Sequence, residues 1–131
     1  MAMPEWEDGT MGSPSAETLT PMMGQYVRLK EKAGKALLFF RMGDFYELFY
    51  EDAIVASRAL SIALTARHKQ HDDAIPMCGV PVHSAEGYIN RLLQQGFCVA
   101  VAEQIEDPRL AEGLVKRDLV RIITPGTTVS D

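Results

Sequence analysis

The stretch ALLFFRMGDFYELFY, Ala36 to Tyr50, sets two apolar runs on either side of a glycine. The first run, Ala36–Phe40, is short and continuous, which is typical of a buried strand. Met42 and Gly43 then break the pattern. The second run, Phe45–Tyr50, divides into two faces when it is extended, because successive side chains of a strand point to opposite sides. The stretch therefore predicts two strands.

The two faces of the second run differ in character. One face is wholly apolar or aromatic and is expected to lie in the core: Tyr46, Leu48 and Tyr50. The other carries Phe45, Glu47 and Phe49, and the carboxylate is expected to keep it from being a dry core. Two interpretations remain open. Glu47 is a solvated acid beside aromatic residues, or Phe45 is an aromatic probe with Glu47 as its polar partner, aimed at flat rings with hydrogen-bonding edges such as nucleic-acid bases.

The rest of the chain alternates between helix and strand patterns. Thr20 and Pro21 predict a helix start, with Thr as N-cap, and Gly96 suits the C-cap of a later helix. Prolines bound the segment Pro76–Pro81, which predicts an edge strand. The expected helices cover about residues 20–34, 52–60 and 84–95, and the further strands cover 61–66, 76–81, 97–102 and 118–123. We therefore expect an α/β fold, with a mixed β-sheet of about five to six strands flanked by about three helices in a single domain.

Length and composition bound the class of protein. A chain of 131 residues with 47% apolar residues suits one globular domain. Residues 1–19 contain Gly, Pro, Ser, Thr and acids without apolar periodicity, so we expect a disordered tail there and a domain at 20–131. No apolar run is long enough to span a bilayer, and acids without a following apolar segment near residue 1 predict no secretory signal. Cys78 and Cys98 lie in apolar surroundings and are expected to be buried thiols of a cytoplasmic protein.

The net charge of −5 is concentrated in the first 19 residues, which hold four acids and no Lys or Arg. The remainder is nearly neutral, with 14 acids and 13 bases. Exposed basic residues there could contact phosphates. The candidate phosphate contacts are Arg58, Arg67 and Lys69, although for each of them singly an ordinary solvated surface is the favoured interpretation.

Other site chemistries fit the sequence poorly. Four neighbouring acids could suggest a two-metal nuclease site, but they scatter across faces in the expected structure: Asp44, Glu47, Glu51 and Asp52. His68 and His71 lie in a polar loop without a closed set of ligands. Gly34 and Lys35 lack the upstream glycine and the following Ser or Thr of a phosphate-binding loop. We expect no metal, cofactor or catalytic site in this chain.

Four sequence blocks carry a resemblance to a known family: FFRMGDFYELF, IPMCGVPVHS, AVAEQIEDP and RIITPGT. In this order, from about Thr20 to the C-terminus, they resemble the N-terminal mismatch-recognition domain of the bacterial MutS family of DNA mismatch repair proteins. The Phe-x-Glu motif of that family falls on Phe45 and Glu47. The resemblance implies that Phe45 enters the minor groove and stacks on a mispaired or unpaired base, while Glu47 hydrogen-bonds to that base. Mismatched double-stranded DNA is the implied partner.

The same resemblance implies that this chain is a fragment of a larger protein. In that family, connector, lever, clamp and ATPase domains follow, so ATP and magnesium are implied for the full-length protein only. A homodimer and downstream mismatch-repair proteins are the further implied partners. The alternative from the residues alone is a protein-interaction module, with Phe45 and Phe49 as an exposed aromatic patch.

Overall fold

The computed structural model describes residues 20–67 and 74–126. The expected disordered tail at 1–19 and the polar loop at 68–73, which contains Lys69, lie outside the described residues. Within the described ranges, no helix is long and apolar enough to cross a membrane.

The described chain contains three helices and six strands, and each helix is followed by two strands. The helices are α1 (Pro21–Ala33), α2 (Tyr50–Leu60) and α3 (Ala85–Gln94), and a 3-10 turn at Val82–Ser84 precedes α3. The strands are β1 (Leu37–Met42), β2 (Phe45–Phe49), β3 (Thr65–Arg67), β4 (Ile75–Pro81), β5 (Val99–Gln104) and β6 (Arg117–Ile123). The predicted N-cap is confirmed, because the Thr20 hydroxyl accepts a hydrogen bond from the Met23 amide at 3.2 Å.

The six strands form one mixed sheet in the order β3-β4-β2-β1-β5-β6. β1 and β5 are parallel, and every other neighbouring pair is antiparallel. The predicted α/β fold is therefore confirmed. β2, which carries the Phe-x-Glu pair, lies between β1 and β4 in the interior of the sheet.

Helices cover both faces of the sheet. α2 and α3 pack on the face that holds Tyr46 and Leu48. α1 packs on the opposite face, where Tyr26 contacts Phe40 and Phe49 edge-on, with ring centroids 5.5 and 5.0 Å apart. The sheet thus has a core on each side, and an exposed side chain on it must lie beyond the edge of a helix.

Three predictions about the strands are wrong. The strand expected at 61–66 begins only at Thr65, because Ser61 caps α2 in the left-handed conformation and residues 62–64 form no strand. Tyr50 begins α2 rather than ending β2, with φ at 57°. The segment bounded by Pro76 and Pro81 is not an edge strand, because β4 has β3 on one side and β2 on the other. Pairing with β3 covers only Ile75–Met77 and pairing with β2 only Met77–Pro81. Each proline therefore has a neighbour on one side alone, which suits a residue without an N–H donor.

The cysteines are only partly as expected. Both are free thiols, and Cys78 is buried as predicted, but Cys98 is half-buried. Burial raises the pKa of the Cys78 thiol to about 12.

Candidate nucleic-acid interface

Phe45 is held at the start of β2 by a tight connection from β1. Gly43 takes φ of 62°, a left-handed conformation that glycine adopts without strain. Phe45 pairs with Met42 on β1 and with Pro81 on β4. The Val82 amide also donates a 2.8 Å hydrogen bond to the carbonyl of Asp44. The Phe45 side chain is nevertheless 45% exposed, so the structure presents a free aromatic ring on a well-supported strand.

Glu47 lies on the same face as Phe45, between Phe40 of β1 and Gly79 of β4. It is half-buried, and burial raises the pKa of its carboxyl group, whereas the positive charge of Arg67 lowers it. The raised pKa means that the site favours the neutral acid more than water does.

The carboxylate of Glu47 lies directly over Gly79. Its Oε1 atom is 2.6 Å from the position that a Cβ atom on Gly79 would take, and Cδ and Oε2 are at 2.8 and 2.9 Å. Real Cβ atoms do not approach other atoms so closely. The carboxylate therefore fills space that exists only because residue 79 has no side chain.

The positive charge that lowers the pKa of Glu47 belongs to Arg67, which lies two strands away in the sheet. This residue ends β3, and its Nε atom is buried without a hydrogen-bond partner among residues 20–67 and 74–126. Buried N–H donors usually have a partner, and one without it loses free energy. The structure thus places Phe45 and Glu47 on one face of β2, and the charge of Arg67 reaches Glu47 but not Phe45, which lies opposite the far end of β4.

The remaining candidates are placed differently. Arg58 is exposed in the last turn of α2, a helix on the opposite side of the sheet from Glu47. Lys69 lies outside the described residues. Phe49 was expected on an exposed face, but α1 covers it completely, and its exposed fraction is 0%. The aromatic patch of the alternative interpretation is therefore wrong in this respect, since only Phe45 of its two rings is exposed.

The neighbouring acids do not form a metal site. Asp52 is buried, accepts a 2.9 Å hydrogen bond from the Leu38 amide and forms an ion pair with Lys30 at 3.0 Å. Within residues 20–67 and 74–126, no group of three or more His, Cys, Asp or Glu side chains could hold a metal ion. Asp52 therefore has a structural role.

A charged cluster that the sequence did not suggest supports the Phe45 strand from the other face. Arg41 donates a 2.9 Å hydrogen bond to Glu103 of β5, and the Tyr46 hydroxyl donates to the second oxygen of the same carboxylate. The pKa of Tyr46 is raised to about 12, mainly by burial and secondly by the neighbouring Glu103 carboxylate. The three residues lie on β1, β2 and β5. The cluster therefore links the two strands that flank the turn before Phe45 to β5. Sequence spacing gives no signal for it, since only the parallel pairing of β1 with β5 brings Glu103 near.

Arg117 is a second residue that sequence reasoning missed. Its guanidinium group lies 4.7 Å from the centroid of the Phe40 ring and donates to the carbonyl of Arg41 at 2.6 Å and to the Gln25 side chain at 2.6 Å. Burial lowers its pKa. Arg117 therefore connects β6, β1 and α1 and is a structural cation rather than a free phosphate ligand.

Fold and site together define a mixed α/β domain that presents an aromatic ring and a half-buried acid from one interior strand. A family model described as MutS domain I matches residues 20–131. The chain belongs to the MutS domain I family.

Proteins named DNA mismatch repair protein MutS are similar to this chain over most of its length. The one from Caldicellulosiruptor bescii is 57% identical over 115 residues, which is 88% of this chain and 13% of that protein. The one from Solibacter usitatus is 57% identical over 114 residues, 87% of this chain and 13% of that protein. The one from Desulfosudis oleivorans is 60% identical over 112 residues, 86% of this chain and 13% of that protein. The chain thus spans about 13% of the length of these curated relatives.

Proposed function

We propose that this domain recognises mispaired or unpaired bases in duplex DNA for mismatch repair, with Phe45 as the wedge and Glu47 as its hydrogen-bonding partner. One observation carries the proposal: a ring that is 45% exposed on a fixed strand stands beside a half-buried carboxyl group with a raised pKa. Membership of the MutS domain I family and relatives named for DNA mismatch repair support it.

Phe45 suits a wedge because its backbone is fixed before any ligand binds. Inserting an apolar side chain between base steps costs a few kcal/mol of unstacking. That cost is smallest where pairing is already poor, as at a mispair. A rigid strand loses little entropy when the ring becomes buried in the groove. Selectivity then comes mainly from the deformability of the duplex at the lesion rather than from a base-by-base code.

Glu47 would contact the edge of the wedged base. Its raised pKa favours the neutral form, and the negative field of the phosphates adds to this shift once DNA is bound. A neutral acid donates a hydrogen bond and a charged one accepts it. On a perfectly paired duplex the wedge cannot enter, and a charged Glu47 is repelled by the backbone. Glu47 therefore increases the preference for mispaired DNA because it weakens binding to perfectly paired DNA.

Arg58, Arg67 and Lys69 remain proposed phosphate contacts. Few such contacts give weak binding with a shallow dependence on salt. For Arg67, the supporting observation is its positive charge, which acts on Glu47 of the proposed site.

We further propose that the chain is part of a longer MutS polypeptide that acts in the cytoplasm as a homodimer. In that polypeptide, ATP and magnesium would bind outside this domain, and downstream mismatch-repair proteins would be partners. The domain itself would be a binding module without catalysis.

The test is Phe45→Ala in the intact MutS polypeptide that carries this domain. Binding is titrated on a duplex with one G·T mispair and on its G·C control at the same salt concentration. Loss of most of the preference for the mispair is expected. An unchanged preference overturns the proposal, and loss of binding to a protein partner instead of DNA would favour the interaction module.

A further inference from the structure

Gly79 is the cross-strand neighbour of Glu47 in the pairing of β2 with β4. The three atoms closest to a Cβ on Gly79 all belong to the carboxyl group of Glu47, at 2.6 to 2.9 Å. A methyl group at residue 79 and the present position of the carboxylate are therefore incompatible.

The backbone gives no other reason for a glycine at this position. Five glycines in the described ranges have a positive φ, and Gly79 is not among them, so residues with side chains can adopt its conformation. A glycine within a strand also weakens the strand, because it has more freedom to lose and no side chain to pack. The missing side chain at residue 79 thus benefits the placement of Glu47 and costs local stability.

We propose that Gly79 is a positioning residue for mismatch discrimination: its bare Cα forms a seat that holds the Glu47 carboxylate against the sheet, on the same face as the Phe45 ring. The inference rests on the proposed function and adds a residue that would not touch DNA itself. The seat matters because a hydrogen bond weakens steeply once its distance and angle are wrong. A freely rotating acid would rarely meet the edge of the wedged base in the right geometry, and a seated one does so without loss of rotamer freedom on binding.

The physical prediction for Gly79→Ala is unusual. The three atoms nearest to the added methyl group belong to the far end of a flexible side chain, so Glu47 can rotate away at little cost and the strand keeps its pairing. The fold should therefore stay as stable as before or become slightly more stable, while the carboxylate leaves its seat. Because the charge is retained, repulsion from perfectly paired DNA remains.

The experiment measures binding of the Gly79→Ala variant, in the intact MutS polypeptide, to the G·T duplex and the G·C control. Affinity for the mispair should fall about ten-fold, as for loss of one hydrogen bond to an ionisable group, and affinity for the control should stay unchanged. Gly87→Ala is the matched control. Gly87 lies in α3 with open space at its Cβ position, so this variant should raise the melting temperature and leave binding to both duplexes unchanged.

A double variant separates the seat from a general strand effect. If Gly79 acts through Glu47, replacing Glu47 by Gln in the Gly79→Ala background should alter both affinities equally and leave their ratio unchanged. Independent, additive losses of discrimination would overturn the proposal, as would a marked drop in melting temperature for Gly79→Ala. If Glu47→Gln changes discrimination and Gly79→Ala does not, the seat is wrong and the proposed function stands. If neither Phe45→Ala nor Glu47→Gln changes discrimination, the proposed function fails as well.

Discussion

Phe45 and Tyr46 are consecutive aromatic residues on opposite faces of β2, and their exposed fractions differ accordingly, at 45% and 7%. Tyr46 packs in the core under α2 and α3, and its hydroxyl group is bound by Glu103. Phe45 lies beyond the cover of α1. One step along the chain thus separates a ring that stabilises the fold from one that is free to contact a ligand.

Replacing these two residues by Ala should therefore have opposite consequences. Tyr46→Ala should lower the free energy of unfolding by about 3–5 kcal/mol, as for other buried aromatic residues. Phe45→Ala should change it by less than about 1 kcal/mol and should instead lower mismatch affinity by about 1–3 kcal/mol, the value of one stacked base. Urea denaturation and DNA titration of both variants measure the two effects. A Phe45→Ala variant that unfolds while Tyr46→Ala stays folded would mean that the faces have been assigned the wrong way round.

Glu47→Gln should separate an ordinary surface acid from a discriminating one. A surface acid only repels DNA, so its removal would strengthen binding to the G·T duplex and the G·C control equally. A discriminating acid is already paired or protonated at the mispair, so its removal should strengthen mainly the control. We expect the ratio of the two affinities to fall about ten-fold. Equal gains on the two duplexes would leave Glu47 with no part in discrimination.

The raised pKa of Glu47 predicts a pH dependence of stability that needs no DNA. An unfolded Glu titrates near 4.5, and the folded one titrates above that value because of burial. Between these two pKa values the folded state binds the extra proton, so stability relative to Glu47→Gln is highest below 4.5 and falls as the pH rises through the folded pKa. Urea denaturation of the 131-residue chain and of the Gln variant, from pH 4 to 8, measures the difference. Removing Arg67 as well should move the folded pKa further upward, since its charge lowers it. A difference that grows with pH would contradict this environment for Glu47.

Two ion pairs on α1 should contribute very differently to stability. Asp52→Ala leaves the Leu38 amide and Lys30 without their buried partner and should cost about 3–5 kcal/mol. Asp118→Ala is the matched control, because its pair with Lys32 spans 3.8 Å at the surface and should contribute less than about 1 kcal/mol. Thermal or urea unfolding of the two variants measures both values. Similar losses from the two changes would contradict the structural role of Asp52.

The sequence predicted most elements because their signals are local. Thr20 and Pro21 start α1, Gly43 separates β1 from β2, and alternation along β2 places Phe45 and Glu47 on one face. Each of these rests on the backbone or side-chain preferences of a few neighbouring residues.

The failures come from contacts between residues far apart in the chain. Phe49 alternates with Glu47 in the same way as Phe45 does, and nothing local indicates that Tyr26 of α1 covers one ring and not the other. Likewise, prolines at both ends of a segment suggest an edge strand. In β4, however, β3 pairs only with the first residues and β2 only with the last, so each proline lacks a strand partner on one side although β4 is an interior strand. The seat at Gly79 could not be predicted from a glycine in a strand pattern, because it depends on the register that puts Glu47 opposite.

The parallel pairing of β1 with β5 has a consequence for how the chain is made. β2 pairs with Phe40, Arg41 and Met42 of β1 almost at once, but Leu37, Leu38 and Phe39 find their strand partners only in Val99, Ala100 and Val101. Until β5 emerges during synthesis, the apolar first part of β1 keeps an unpaired edge, which favours pairing with other chains. Any version of this domain shortened ahead of β5 should therefore aggregate, even though the Phe45 and Glu47 strand would be complete in it.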